Sequence, residues 1–256
     1  REAQVTARLT SPHTIQVFDY GVSPNDAYYY VMEHLDGFDL QTLVTEYGPL
    51  SPGRAVYLLK QICDSIGEAH HAGLIHRDLK PGNLFVVRRG LAGDFVKVLD
   101  FGLVGLTDHL KTASFDGQIT AHGMMTGTPA YMSPEMVLGH KVDTRADLYS
   151  LGCVLFFLVT GQLLYPGRAP LQMALAHAHE PAPDVRAIAT QPIPDDFARL
   201  VSFLLEKQPE NRPQNATQLL RMLGRLSIAD SWTALDSDDW WDMNKPIEEA
   251  ESMRVA

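Results

Sequence analysis

The stretch LIHRDLKPGNLFVV, residues 74–87, sets His76, Arg77, Asp78, Lys80 and Asn83 between two apolar runs. A chain that buries hydrophobic residues on both sides of such a cluster has reason to keep the cluster ordered. Asp78 is followed two positions on by an ammonium and five positions on by an amide. Transfer of a phosphoryl group to a hydroxyl uses that set: a carboxylate to orient the hydroxyl and accept its proton, a cation near the moving group, and hard oxygen ligands for Mg²⁺. Asp78 fits the first role, Lys80 the second, and Asn83, through its carbonyl oxygen, the third. LDFG, residues 99–102, offers Asp100 as a second metal carboxylate.

The elements around this loop are legible from their periodicity. Upstream, Ser51-Pro52 is a helix start, and Val56, Leu59, Ile62, Cys63, Ile66 and Ala69 recur at three- and four-residue intervals until Gly73. Before that helix, IQVFDYG and AYYYVMEH flank the turn-forming SPND and predict an antiparallel pair, with helix beginning from Asp39. Downstream, the strands LFVV and FVKVL flank a turn, RRGLAGD, and DFG follows at once. Residues 103–126 have little periodicity and read as a long loop. Helices are predicted around 143–160, 171–179, 195–206 and 215–226, joined by Pro-rich connections. The result is a little β followed by much α.

Composition bounds the function. The chain has 256 residues with 45% hydrophobic content, enough for a sizeable core. A formal net charge of −10 with no basic cluster argues against a nucleic-acid partner. Cys63 and Cys153 lie in apolar helical patterns and read as buried reduced thiols, which suits a cytoplasmic setting. The most apolar run, residues 151–165, is interrupted by Gly152, Thr160, Gly161 and Gln162 and falls short of the ~18 apolar residues of a membrane span. It reads as a buried core helix, and a membrane anchor outside these residues stays open. From residue 227 the composition shifts: eight acidic residues face only Lys245 and Arg254, and all three tryptophans, Trp232, Trp240 and Trp241, are here. Two readings stay open, an acidic and mostly disordered linker, or a tail whose tryptophans dock on the core or on a partner.

Four motifs in order, VMEHLDGFDL, HRDLKPGN, DFG and GTPAYMSPE, resemble those of the eukaryotic-like Ser/Thr protein kinases of bacteria, from Arg1 to about Leu226. The resemblance implies an α+β, protein-kinase-like fold: mostly the α-helical C-terminal lobe, with a truncated β-containing N-terminal lobe. Residues 1–32 would be a partial N-lobe, 33–226 the hinge and C-lobe, and 227–256 the tail. It implies ATP and Mg²⁺ as cofactors and a protein with a Ser or Thr acceptor as substrate. Asp78, Lys80, Asn83 and Asp100 would be catalytic, with Asn83 and Asp100 on the metal. The backbone of Glu33 and Leu35 would meet the adenine edge, with Met32 as gatekeeper, Asp39 near the ribose and Phe85 as the adenine floor.

Further roles follow from the same resemblance. Thr128 would touch Asp78 and Lys80 and favour a hydroxyl acceptor. Glu135 would pair with Arg212, and Asp147 would cap the backbone of the loop carrying Asp78. Arg77 is expected to be a buried guanidinium in need of an anion, which a phosphate on the 103–126 loop would supply, with Thr112, Ser114, Thr120 and Thr126 as candidates. Glu2 stands where the family's helix glutamate belongs, yet no G-x-G-x-x-G or strand Lys precedes it. A piece of an intact enzyme accounts for the full set of metal and base residues. A non-catalytic, kinase-like interaction module and a small-molecule phosphotransferase are the alternatives.

Overall fold

The computed structural model describes residues 9–22, 28–90, 92–101 and 129–244. The described residues form two small sheets and a helical body, with two helices lying between the strands of the second sheet in the chain. Strands β1 (Val17–Val22) and β2 (Tyr28–Met32) form the expected antiparallel pair, Val17 opposite Met32, with a register shift between Val17 and Asp19. The second sheet runs β3 (Gly37–Asp39), β4 (Leu84–Arg89) and β5 (Ala92–Val98), antiparallel throughout. β3 has no counterpart in the sequence reading, because three residues carry no measurable alternation. β4 and β5 extend into the segment read as a long turn. Arg89 pairs with Ala92, and Gly90 takes the positive φ of 64° that so tight a reversal needs.

Helix α1 (Leu40–Tyr47) starts at Asp39, whose carboxylate accepts from Thr42 N. Helix α2 (Pro52–His71) starts as predicted, with the Ser51 side chain accepting from Arg54 N and Pro52 in the first turn. The segment before β1 is tied to α2 by the Glu68 carboxylate, which accepts from Thr10 N and Ser11 N, each at 2.7 Å. It is tied to β5 by the bridge between Thr14 and Val98. Beyond residue 128 come α3 (Pro134–Val137), α4 (Arg145–Thr160), α5 (Pro170–His179), α6 (Val185–Ile188), α7 (Asp195–Leu204), α8 (Ala216–Leu223) and α9 (Ala234–Met243).

α4 is the axis of the core. Every residue from Ala146 to Thr160 is buried, so the helix is apolar all round rather than amphipathic. Gly161, in the left-handed conformation at φ 69°, stops it. Among the described residues no helix is long and apolar enough to cross a membrane. Cys63 and Cys153 are free and buried.

The disordered-linker reading of the tail is corrected for residues 227–244. α9 opens on a capping box formed by Thr233 and Asp236, packs on β5, and buries Trp241. The signal was present in Thr233-x-x-Asp236. It was masked by the absence of an apolar stripe, because the buried face of α9 is Ser237 and Trp241.

One buried cluster has a pH consequence. Lys207 Nζ donates to Tyr149 Oη at 3.2 Å, and Tyr149 Oη lies 3.0 Å from Nδ1 of His177, which is buried. Burial, and then the Lys207 charge, push the His177 imidazole down to about 4. The unfolded chain protonates this histidine near 6.5 while the folded chain resists until about 4, so acid in that window favours unfolding. The contribution is complete above pH 6.5 and lost progressively as pH falls to 4. Urea unfolding midpoints are expected to fall across this window by an amount worth about 3 kcal/mol, and the decline should be shallower in His177→Gln. An equal slope in both proteins would contradict the assignment.

Candidate active site

The loop between α2 and β4 is held from beneath. Asp147, fully buried in the first turn of α4, accepts from His76 N at 2.8 Å and Arg77 N at 2.9 Å, and pairs with His70 Nε2 at 2.7 Å. Burial alone would raise the Asp147 carboxyl. The hydrogen bonds from His70 and from the His76 N–H outweigh it and hold the group below its ordinary value. This clamp matters because Arg77 sits at φ 66°, a left-handed conformation that a non-glycine residue keeps only when its surroundings impose it.

His76 braces the same loop from inside. Its buried ring lies 4.9 Å from Phe101, its Nε2 is 2.7 Å from Leu99 O, and Asp78 N approaches its Nδ1 at 3.3 Å. Those partners select the tautomer with the proton on Nε2. His76 is thus an internal strut, not a metal ligand.

The clamp aims Asp78 at Lys80 and Asn83. Lys80 Nζ lies 2.7 Å from Asp78 Oδ2, and Asn83 Nδ2 donates to Asp78 O at 2.8 Å and to Oδ2 at 3.1 Å. The Asn83 nitrogen is engaged there, so the amide presents its oxygen as the ligand end. Leu99 N donates to Asn83 O at 2.9 Å, and Leu99 O meets His76, so the residue before Asp100 is stitched to the loop on both sides. Asp100, half-buried at φ 61°, follows directly on this stitched residue. Asp78, Lys80 and Asn83 come together on one loop, and the backbone next to Asp100 is tied to that loop through Leu99.

The residues expected to border the adenine and ribose lie at the end of β2, in the connection to β3, and across β3 and β4. Met32 ends β2 and is partly exposed. Glu33 N donates to Gln16 O at 3.0 Å, and the Glu33 carboxylate receives Lys97 Nζ at 2.6 Å and Gln16 N at 2.8 Å. Leu35 is half-buried, and Asp39 and Phe85 are paired across β3 and β4. The sequence reading missed Lys97. A lone lysine in the otherwise apolar FVKVL is the signal that was available, since a buried lysine needs a partner for its ammonium.

Two further residues meet far from Asp78. Glu135 and Arg212 form a buried bidentate pair, both contacts 2.8 Å. The remaining guanidinium N–H groups reach the carbonyls of Glu206, Lys207 and Arg145, so all five donors are used. The buried state expected of Arg77 is corrected: the residue is exposed, and it is its backbone N–H that Asp147 holds. Glu2, Thr112, Ser114, Thr120, Thr126 and Thr128 lie outside the described residues.

Comparison with known proteins places this geometry. Residues 1–223 match the protein kinase domain family. The chain belongs to the protein kinase family. It is 39% identical over 218 residues to the serine/threonine-protein kinase pkn3 of Myxococcus xanthus, covering 84% of this chain and 39% of that protein. It is 36% identical over 230 residues to the serine/threonine-protein kinase PknB of Mycobacterium tuberculosis, covering 88% of this chain and 35% of that one. Among solved structures, Rad53 residues 1–466 in complex with AMP-PNP superposes with a TM-score of 0.67 at 26% identity, covering 87% of this chain and 53% of that one. The chain therefore spans well under half the length of these two bacterial relatives. The kinase fold accounts for the two small sheets above a helical body, and the matched residues stop before α9.

Proposed function

We propose that this kinase domain transfers the γ-phosphoryl group of ATP to Ser or Thr of a protein substrate, in a bacterial signalling protein. The observation that carries the proposal is the carboxylate of Asp78, held by Lys80 and Asn83 on a braced loop to which the residue before Asp100 is hydrogen-bonded.

The residues fit Mg²⁺. Among the described residues no three His, Cys, Asp or Glu side chains form a metal cage, and Mg²⁺ uses few protein ligands, taking the rest from phosphate and water. Asn83 Oδ1 and the Asp100 carboxylate would hold it. When bound, it neutralises charge on the phosphate oxygens.

Asp78 orients the acceptor hydroxyl and takes its proton as the oxygen bonds to the γ-phosphorus and the bond to the ADP oxygen breaks. Lys80 offsets the charge on the moving group, and its contact with Asp78 fixes where that charge is met. On the hinge side, Glu33 N–H is already engaged by Gln16, so its carbonyl is the group offered to an adenine amine, with Leu35 beside it. Met32 borders that position as gatekeeper, Asp39 lies toward the ribose, and Phe85 forms the floor. Arg77, by its exposure, is open to an anion from residues 103–126, and Thr126 and Thr128 are assigned to regulation and to acceptor selection.

The test is γ-phosphate transfer by the full-length protein with Mg–ATP, against Ser/Thr peptides, a generic protein substrate and a panel of aminoglycosides. Transfer to peptide or protein hydroxyls is expected. Transfer to aminoglycosides alone, or to no acceptor by a protein that is folded, would overturn the reading.

A further inference from the structure

The nucleotide face of the domain rests on β3, β4 and the start of α1, and the far side of that unit is covered by a segment beyond the residues that match the family. α9 and the turn before it supply both indole N–H donors to one carboxylate. Trp232 Nε1 and Trp241 Nε1 each donate to Asp94 at 3.0 Å, while Arg54 closes a bidentate pair with the same group at 2.8 and 2.7 Å. Asp94 is fully buried, so loss of the tail would leave its carboxylate short of two donors. The Arg54 guanidinium lies 4.0 Å from the Trp240 ring and 5.0 Å from that of Trp232.

The backbone is cut to receive this segment. A Cβ on Gly93 would fall 2.4 Å from Ser237 Oγ and 2.5 Å from Trp241 Cδ1, and one on Gly53 would fall 2.2 Å from Ser231 Oγ. Gly93 N also donates to Asp238 Oδ1.

Contact continues to the elements that carry the ribose-side residue. Trp241 packs on Phe38 with centroids 5.6 Å apart, and Trp240 on Tyr47 at 5.1 Å. Phe38 precedes Asp39, the N-cap of α1, and Tyr47 is the last residue of that helix. Asp39 in turn pairs with Phe85 across the sheet. The tail therefore grips both ends of the unit that carries the ribose-side and floor residues.

We infer that the 227–244 segment is a positioning element for nucleotide binding, its docking through Trp240 and Trp241 energetically coupled to occupancy of the ATP site. The inference rests on the kinase reading above. Coupling of this kind is reciprocal: what docking does for ATP, ATP does for docking.

All three tryptophans of the chain lie in this segment, so indole emission reports on docking alone. In the full-length protein, provided its other segments add no tryptophan or those are replaced by Phe, Gly93→Ala should shift emission to the red. It should also weaken Mg–ATP binding in calorimetry about ten-fold, with turnover at saturating ATP kept within about two-fold. Trp241→Phe, which keeps a ring against Phe38, should recover most of the affinity that Trp241→Ala loses. An arm without any substitution measures acrylamide quenching of the tryptophans with and without saturating Mg–ATP, where ATP should protect them. Red-shifted emission with unchanged ATP affinity, or equal quenching with and without ATP, would overturn the coupling. A folded protein that binds no ATP in either state would instead remove the kinase reading.

Discussion

Asp78→Asn is expected to lower phosphoryl transfer at saturating ATP by about 10²- to 10⁴-fold, the range by which a positioned base contributes. The asparagine is isosteric. Its oxygen can still accept from Lys80 and Asn83, so the loop keeps its shape while losing the ability to take a proton. Neither the Asp147 clamp nor the His76 strut involves the substituted atoms. Unfolding midpoints should therefore match the parent, and ATP affinity should stay within about two-fold, because the variant removes an interaction realised only in the transition state. Single-turnover kinetics with γ-labelled ATP separate the two quantities. Transfer within about ten-fold of the parent would show that another group accepts the proton.

Arg212→Met is expected to cost about 3–5 kcal/mol of stability, the penalty for stranding one charge of a buried pair. The Glu135 carboxylate would lose both its guanidinium contacts at 4% exposure, and three backbone carbonyls would lose their donors. Removing both charges in Glu135→Leu/Arg212→Met should recover part of the loss, because no buried ion is then left alone. Equilibrium urea unfolding of the single and double variants measures this. A loss below about 1 kcal/mol in Arg212→Met would mean that the pair is hydrated in solution, as surface pairs are.

These expectations draw on residues of very different legibility. The helices were readable where a cap and a period coincide: Ser51-Pro52 opens α2, and the glycine after Thr160 closes α4. Asp78, Lys80 and Asn83 were readable as chemistry because five residues of chain bring them together locally. Asp100 needed the stitches through Leu99, which no local pattern announces. The exposure of Arg77 was misjudged because its neighbour's function suggested burial, whereas its conformation is fixed by a carboxylate 70 positions away. Lys97 and Asp94 escaped notice for a shared reason. Both are charges of β5 whose partners, Glu33 and Arg54, come from distant elements. The tail was ambiguous because acidic composition argues for solvation and tryptophan argues for burial, and only tertiary contact decides between them.

The packing of Phe101 against His76 bears on inhibitor selectivity. A compound that needs this ring displaced must give up the contact with a buried imidazole, while Leu99 stays anchored by hydrogen bonds on both sides. The pivot for such a rearrangement falls on Asp100, whose backbone already occupies a sparsely populated conformation. Ligands that leave the ring in place meet no such cost, so chemical matter that displaces it should associate more slowly.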